Sequence, residues 1–447
     1  MLDVAYRKLL LVALMAVTGC AAESDAEPIA SIGAPDGPAP ADVAMDRPEP
    51  DESDYGRELA RQHASISAHE TAALRYSNDW AREERLSFAY ADRAKLTGDY
   101  DDYVRAQEAL ERAFGVAGEG VGPFMSRAYL NFTLHRLDRA EADLDTVEGA
   151  ALVTATTRNQ AMALRADIAF HRGEFEEAER LHRLSERVQE TPASAFRVAY
   201  DLWQTGRWQQ ADNWLETAAE RVLPSDPRTA AWMSLQRGLM DLDRGRYTDA
   251  LAHYQMADEQ FGGWWLVQEH IAEIQVCLGQ LDDAERRYRA VVEQTGNPEL
   301  MDALADLLEE RGEAAEATVF RARALATFER QLEQLPEAAY GHALEHFLAH
   351  GTPERALELA EANFALRPGG EATVRLSQAL LRSGRASDAR ERLGPLLETT
   401  YDTAELHATA AVVFRAAGDA VLANDQERLA EAINPDAMDD VADLAPE

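Results

Sequence analysis

The sequence predicts an all-α protein, an array of about ten stacked helix–turn–helix units. Turn residues recur every 33 to 39 residues, and an alanine follows each turn five residues later, or eight residues later in the first unit. A repeat of this length holds two short helices, and one such hairpin cannot bury its apolar face unless the next hairpin stacks against it. The turn residues are Gly98, His135, Gly173, Gly206, Gly245, Gly279, Gly312, Gly351, Gly384 and Gly418. The alanines are Ala106, Ala140, Ala178, Ala211, Ala250, Ala284, Ala317, Ala356, Ala389 and Ala423.

Each recurring residue has a physical role in such a hairpin. A glycine at the turn adopts the left-handed backbone conformation that ends the first helix, helix A. The alanine after the turn lets helix A and helix B approach closely, as does a small residue seven positions before the turn. Proline cannot continue a helix, so Pro368 and Pro435 are expected to follow the ends of two B helices.

This pattern resembles the tetratricopeptide repeat, which has a small residue at position 8, glycine at 15, alanine at 20, an aromatic residue at 24 and proline at 32. Tyr254 and Tyr288 occupy position 24. The tryptophan and leucine of the early consensus positions are mostly absent, so the resemblance does not define where each unit begins. It implies a TPR-type superhelix, an α-solenoid, over residues 83–435. The segment 56–82 is expected to be a leading helix or cap.

The N-terminus has the parts of an export signal. Arg7 and Lys8 precede nine apolar residues, Leu9 to Val17, which are too few to span a bilayer. Val17-Thr18-Gly19-Cys20 resembles the lipobox of bacterial lipoproteins, which implies that residues 1–19 are removed and that Cys20 carries the lipid. Ala21 then favours the outer membrane. The alternative is an ordinary secretory signal that holds a cysteine.

Composition predicts disorder at both termini and argues against two classes of partner. Residues 20–55 are rich in proline, alanine and acids, so we expect a disordered tether, and 436–447 is expected to be a loose acidic tail. The net charge of −36 argues against nucleic acid and against an anionic membrane surface as partners. It favours basic protein partners. Cys277 is expected to be a lone core thiol.

The sequence contains no motif typical of an enzyme, because the phosphate loop, the HExxH pair, the GxSxG elbow and the CxxC pair are all absent. The chain is therefore predicted to be non-catalytic and to need no cofactor. One cluster leaves an alternative open. His342, His346 and His350 lie four residues apart on one helix face, where imidazoles can chelate a transition metal or simply form an ordinary helix surface.

In tetratricopeptide-repeat proteins, helix A lines the concave surface, and the resemblance assigns ten residues of this chain to that groove. The aromatic set is Tyr129, Phe132, Phe196, Tyr200 and Trp203, and the acidic set is Glu269, Glu273, Asp302, Asp306 and Glu345. The leading hypothesis is a membrane-anchored scaffold on the periplasmic side of the cell envelope. It would bind a protein or an extended peptide with a basic segment. The alternative is a metal-binding accessory protein that uses the histidine stripe, and the acids could also merely follow the composition.

Overall fold

The computed structural model describes residues 52–444, and these form 21 α-helices and one 3-10 helix. Helix α1 (Asp54–Arg75) leads the array and packs on α2. The first five hairpins are α2 (Trp80–Thr97) with α3 (Tyr100–Val116), α4 (Phe124–Thr133) with α5 (Leu137–Gly149), α6 (Ala155–His171) with α7 (Phe175–Val188), α8 (Pro192–Gln204) with α9 (Trp208–Glu220), and α10 (Pro227–Leu242) with α11 (Tyr247–Gln260).

The last five hairpins are α12 (Trp265–Cys277) with α13 (Leu281–Thr295), α14 (Pro298–Glu310) with α15 (Ala314–Gln334), α16 (Pro336–His350) with α17 (Pro353–Leu366), α18 (Gly370–Arg382) with α19 (Ala386–Leu397), and α20 (Ala404–Ala416) with α21 (Ala420–Ile433). The predicted all-α solenoid of ten hairpins is confirmed. The B helices α17 and α21 end two residues before Pro368 and Pro435, as the sequence predicted. Within residues 52–444, no helix is both long enough and apolar enough to cross a membrane.

The turns and helix seams follow the sequence pattern closely. Nine of the ten predicted turn residues have left-handed backbone, with φ between 59° and 84°. One of them is His135, the single non-glycine residue with positive φ among those that the structure describes. All ten recurring alanines have no exposed surface. Gly351 differs, with φ of −94°, because the next helix follows it directly. Thr352 caps α17, and a proline occupies the first position of that helix.

The array coils tightly enough that early and late hairpins touch. The indole N–H of Trp265 donates to the Leu96 carbonyl at 2.8 Å, which joins hairpin 6 to hairpin 1. Asp402 N–H donates to the Gln204 carbonyl at 3.0 Å, which joins the loop before hairpin 10 to hairpin 4. Arg136, before α5, pairs with Glu337 of α16. These long-range contacts hold early and late hairpins together across the interior of the superhelix.

Three expectations about local segments need correction. The C-terminal segment is not loose as far as residue 444, because the 3-10 helix Asp439–Leu444 buries Val441 and Leu444 against α18 and α20. Cys277 is exposed at the end of α12, so it is not a core thiol. The leading helix begins at Asp54 and ends at Arg75, and α2 begins at Trp80, before the predicted start of the array. Cys20, the signal segment and the tether up to residue 51 lie outside the described residues.

Candidate functional site

The aromatic side chains assigned to the groove do face the interior, but most of them are buried. Phe132, Phe196 and Trp203 are 3%, 5% and 2% exposed, and Tyr129 and Tyr200 are half-buried. Tyr200 lies edge-on to Trp203, with ring centroids 5.7 Å apart, and the Trp203 indole N–H donates to Asp243 at 2.8 Å. These residues form a core and do not line an open aromatic groove, which corrects the expectation.

Late loops of the chain cover this aromatic region. Tyr401, in the loop before α20, stacks on Phe175 with ring centroids 5.1 Å apart. The loop before α18 presses on the end of α6, where a Cβ added to Gly369 would lie 2.8 Å from the His171 carbonyl oxygen. The loops before hairpins 9 and 10 therefore occupy part of the interior beside hairpins 3 and 4. Local sequence could not reveal this, since the contacts join residues far apart in the chain.

The histidine stripe and part of the acidic stretch lie face to face. On α16 and α14, His342 Nδ1 lies 2.7 Å from Glu299, His346 Nδ1 lies 2.8 Å from Asp302, and His350 Nε2 lies 3.4 Å from Asp306. We call these three pairs the histidine–carboxylate ladder. Burial lowers the pKa of His342, but the charge and hydrogen bond of Glu299 outweigh it and leave that pKa raised. The stripe is therefore not an unpaired helix surface.

The remaining predicted acids also have internal partners. Arg321 Nη2 lies 2.7 Å from Asp306, and Arg375 Nε lies 2.6 Å from Glu345. Glu269 and Glu273 are 0% and 3% exposed and flank His270 on the same helix, α12. Asp302, Asp306 and Glu345 thus pair with histidine or arginine. Because Glu269 and Glu273 are buried, the set does not form the open acidic wall that the sequence suggested.

A group of side chains spaced like metal ligands lies on α12, and the histidine stripe on α16 does not form such a group. Among residues 52–444, the group whose donor atoms all lie within 4.8 Å of one another is Glu269, His270 and Glu273. His342, His346 and His350 do not form such a group. Glu269 and Glu273 were predicted to line the groove, whereas His270 was not among the predicted site residues.

A second buried polar cluster was not predicted from the sequence. His182 lies between two carboxylates, with Nδ1 2.7 Å from Asp201 and Nε2 3.0 Å from Asp167, and Arg197 also binds Asp167 at 3.0 Å. Burial alone would lower the pKa of His182, but the two carboxylates raise it to about 9. The pKa of Asp167 is lowered to about 2, because Arg197 and His182 outweigh the opposing effect of burial. A signal existed, since His182 occupies position 24, which holds tyrosine in hairpins 5 and 6.

A cavity of about 510 Å³ lies between hairpins 1 to 3 and hairpins 6 to 8. His135 and His171 line it together with Arg367, and burial and the Arg367 charge lower the pKa values of both histidines, that of His171 to about 4. The Nδ1 atom of His135 is buried without a hydrogen-bond partner. Phe132 and His342, two of the predicted site residues, also line the cavity, as do Lys95, Tyr100, Tyr103, Trp265, Glu299 and Phe328. The cavity thus offers both aromatic surface and hydrogen-bonding groups.

Comparisons with solved structures show similarity to helical-repeat proteins. No protein-family model matches the chain, and no curated protein matches it. A solved structure of PilF from Pseudomonas aeruginosa is 15% identical with a TM-score of 0.32, covering 48% of this chain and 94% of that one. The human IFIT1 dimer with PPP-AAAA is 13% identical with a TM-score of 0.38, covering 82% and 94%. The Naa15/Naa10 complex bound to HypK is 12% identical with a TM-score of 0.28, covering 84% and 67%. At these scores the similarity carries no argument about function, and the all-α solenoid rests on the chain's own paired helices.

Proposed function

We propose that this protein is a non-catalytic scaffold, anchored through a lipid on Cys20 to the bacterial cell envelope, that binds a segment of a partner protein. Its position would be the outer membrane, facing the periplasm. The observation that carries the binding proposal is the cavity of about 510 Å³ between the early and late hairpins. The lipobox-like Val17-Thr18-Gly19-Cys20 supports the anchor. The partner would sit in this cavity instead of extending along the whole concave face.

The size of the cavity limits what it can hold. Pockets of about 300–1,000 Å³ accept a small molecule or a few side chains, which is much less than an extended peptide along ten hairpins would need. The aromatic side chains of Tyr100, Tyr103 and Trp265 suit an apolar or aromatic side chain of the partner. Asp101 lines the same cavity and is exposed, so it can pair with an arginine or lysine beside that side chain. The net charge of −36 would speed the approach of such a basic segment.

A cross-linking experiment in intact cells tests this site. A photoreactive amino acid replaces Gln334, which is exposed at the rim of the cavity, in the full chain. The matched control replaces Gln209, which is exposed on α9 and does not line the cavity. We expect a discrete cross-linked partner from position 334 and none of that mass from position 209.

Blocking the cavity provides the second arm. Thr327, half-buried in the cavity wall, is changed to tryptophan, and Thr318 on the exposed side of the same helix, α15, receives the same change as a control. We expect Thr327→Trp to reduce the cross-link from position 334 at least tenfold and Thr318→Trp to leave it unchanged. Equal cross-linking in both variants would place the binding surface elsewhere on the molecule.

A further inference from the structure

Helix α12 carries three ionisable side chains in the protein interior. Glu269 and His270 have no exposed surface, and Glu273 is 3% exposed. His270 lies between the two glutamates, with Nδ1 3.0 Å from Glu273 and Nε2 3.3 Å from Glu269. Two carboxylates in such a place are costly unless positive charge or hydrogen-bond donors compensate them.

The protein's own groups supply little of that compensation. Both carboxylate oxygens of Glu269 lack a hydrogen-bond partner, as does Nε2 of His270, because the 3.3 Å contact is not aligned as a hydrogen bond. Among the residues that the structure describes, the recorded ion pairs of these two glutamates involve His270 and no arginine or lysine. The hydroxyl of Tyr254, whose ring stacks on His270, is also buried without a partner. The cluster therefore brings together oxygen and nitrogen atoms that have no hydrogen-bond partner and could bind a metal ion.

We propose that Glu269, His270 and Glu273 bind a divalent transition-metal ion of the zinc class. Their donor atoms lie within 4.8 Å of one another. The 3.3 Å between His270 Nε2 and Glu269 matches the separation of two ligands in a tetrahedral site whose bonds are about 2.0–2.1 Å long. Imidazole nitrogen with carboxylate oxygen is a donor set typical of Zn²⁺.

Charge balance supports the same ion. Two carboxylates, a neutral imidazole and one divalent cation sum to zero, which removes the cost of burying an uncompensated charge. Because all three side chains are buried, the ion would be taken up as the chain folds. The site is separate from the histidine–carboxylate ladder, which lies on α14 and α16.

The test measures metal in the full chain, purified in detergent through a tag without histidine and without chelators. Elemental analysis of the purified protein should find about one zinc-class ion per chain. After the ion is replaced by Co²⁺, the protein should show the visible absorption of tetrahedral cobalt. The variant Glu269→Gln with His270→Gln should lose both signals, and Glu273→Gln should weaken Zn²⁺ binding roughly tenfold or more. The matched control is His342→Gln with His346→Gln, which should keep both signals.

Each alternative result has a defined meaning. X-ray absorption on the wild-type chain gives an answer even if the double variant fails to fold, because it should show oxygen and nitrogen ligands including one histidine. A wild-type chain that contains no metal, and that regains its circular dichroism on refolding with Co²⁺ without taking up the ion, would overturn the proposal. Loss of metal in the stripe variant but not in the Glu269–His270 variant would overturn it too, since the ion would then lie on the ladder.

Discussion

Tyr401 stacks on Phe175, with ring centroids 5.1 Å apart and an interplanar angle of 24°. Phe175 opens α7 in hairpin 3, whereas Tyr401 precedes α20 in hairpin 10. This contact helps to close the superhelix on itself, together with the parallel bridge between Thr205 and Asp402. Closure decides which faces of the A helices remain open, and it leaves an internal cavity where a continuous groove was expected.

The closing contact should contribute measurably to stability. Tyr401 is 8% exposed, and changing it to alanine removes a large buried ring, so we expect a loss of roughly 3 kcal/mol or more. Hydrogen exchange should also accelerate at the ends of α6 and α8, which the late loops cover. Tyr401→Phe keeps the stacked ring and should stay close to the wild type. If Tyr401→Ala unfolds like Tyr401→Phe, the two ends of the array are not held together here.

The Asp167–His182–Asp201 cluster predicts a pH dependence of stability. The folded pKa of His182, about 9, lies above the ordinary value of 6.5. The stabilisation is therefore complete below about pH 6.5 and is lost as the pH rises through 9. Urea unfolding between pH 6.5 and 9.5 should show the wild-type free energy of unfolding falling more steeply than that of His182→Gln. Parallel curves for the two proteins would mean that His182 is neutral in the folded state.

The left-handed backbone of His135 predicts an unusual response to substitution. The left-handed conformation costs a non-glycine residue about 1–2 kcal/mol of conformational free energy. His135→Gly should relieve that strain, so the free energy of unfolding should be equal to or higher than that of the wild type, although a ring is lost from the cavity wall. The reciprocal change, Gly173→His, forces a side chain into φ of 82° and should destabilise by about 1 kcal/mol or more. A large destabilisation by His135→Gly would show that its side chain is needed for the fold.

The proposed anchor predicts a specific role for one of the two cysteines. Cys20→Ser should abolish incorporation of a labelled fatty acid and release the chain from membranes or block its processing, because the lipid needs the thiol. Cys277→Ser is the matched control and should label and sediment like the wild type. Normal membrane sedimentation of a processed Cys20→Ser chain would contradict the lipoprotein proposal.

Much of the candidate site could not be predicted from sequence, although the residue types could. The stripe on α16 and the acids on α14 were both visible as patterns. Their pairing, such as His346 with Asp302 at 2.8 Å, depends on how two hairpins stack. Likewise, nothing local distinguishes a buried Glu269 from an exposed acid of an acidic helix. His182 was the exception, since a histidine at a position that usually holds a buried aromatic ring is a detectable sign of a polar cluster.

The sequence by itself determined the helices, their pairing and the number of hairpins. Those features depend on contacts between residues a few positions apart, such as a left-handed turn and the buried alanine that follows it, and each hairpin repeats them. Only the tertiary structure decided which faces of the array are open. Superhelical closure brings Trp265 to Leu96 and Tyr401 to Phe175, and such contacts accumulate from small rotations between successive hairpins. Those rotations leave no local signature in the sequence. The sequence pattern therefore predicted an open groove, whereas the folded protein has a core and a cavity there.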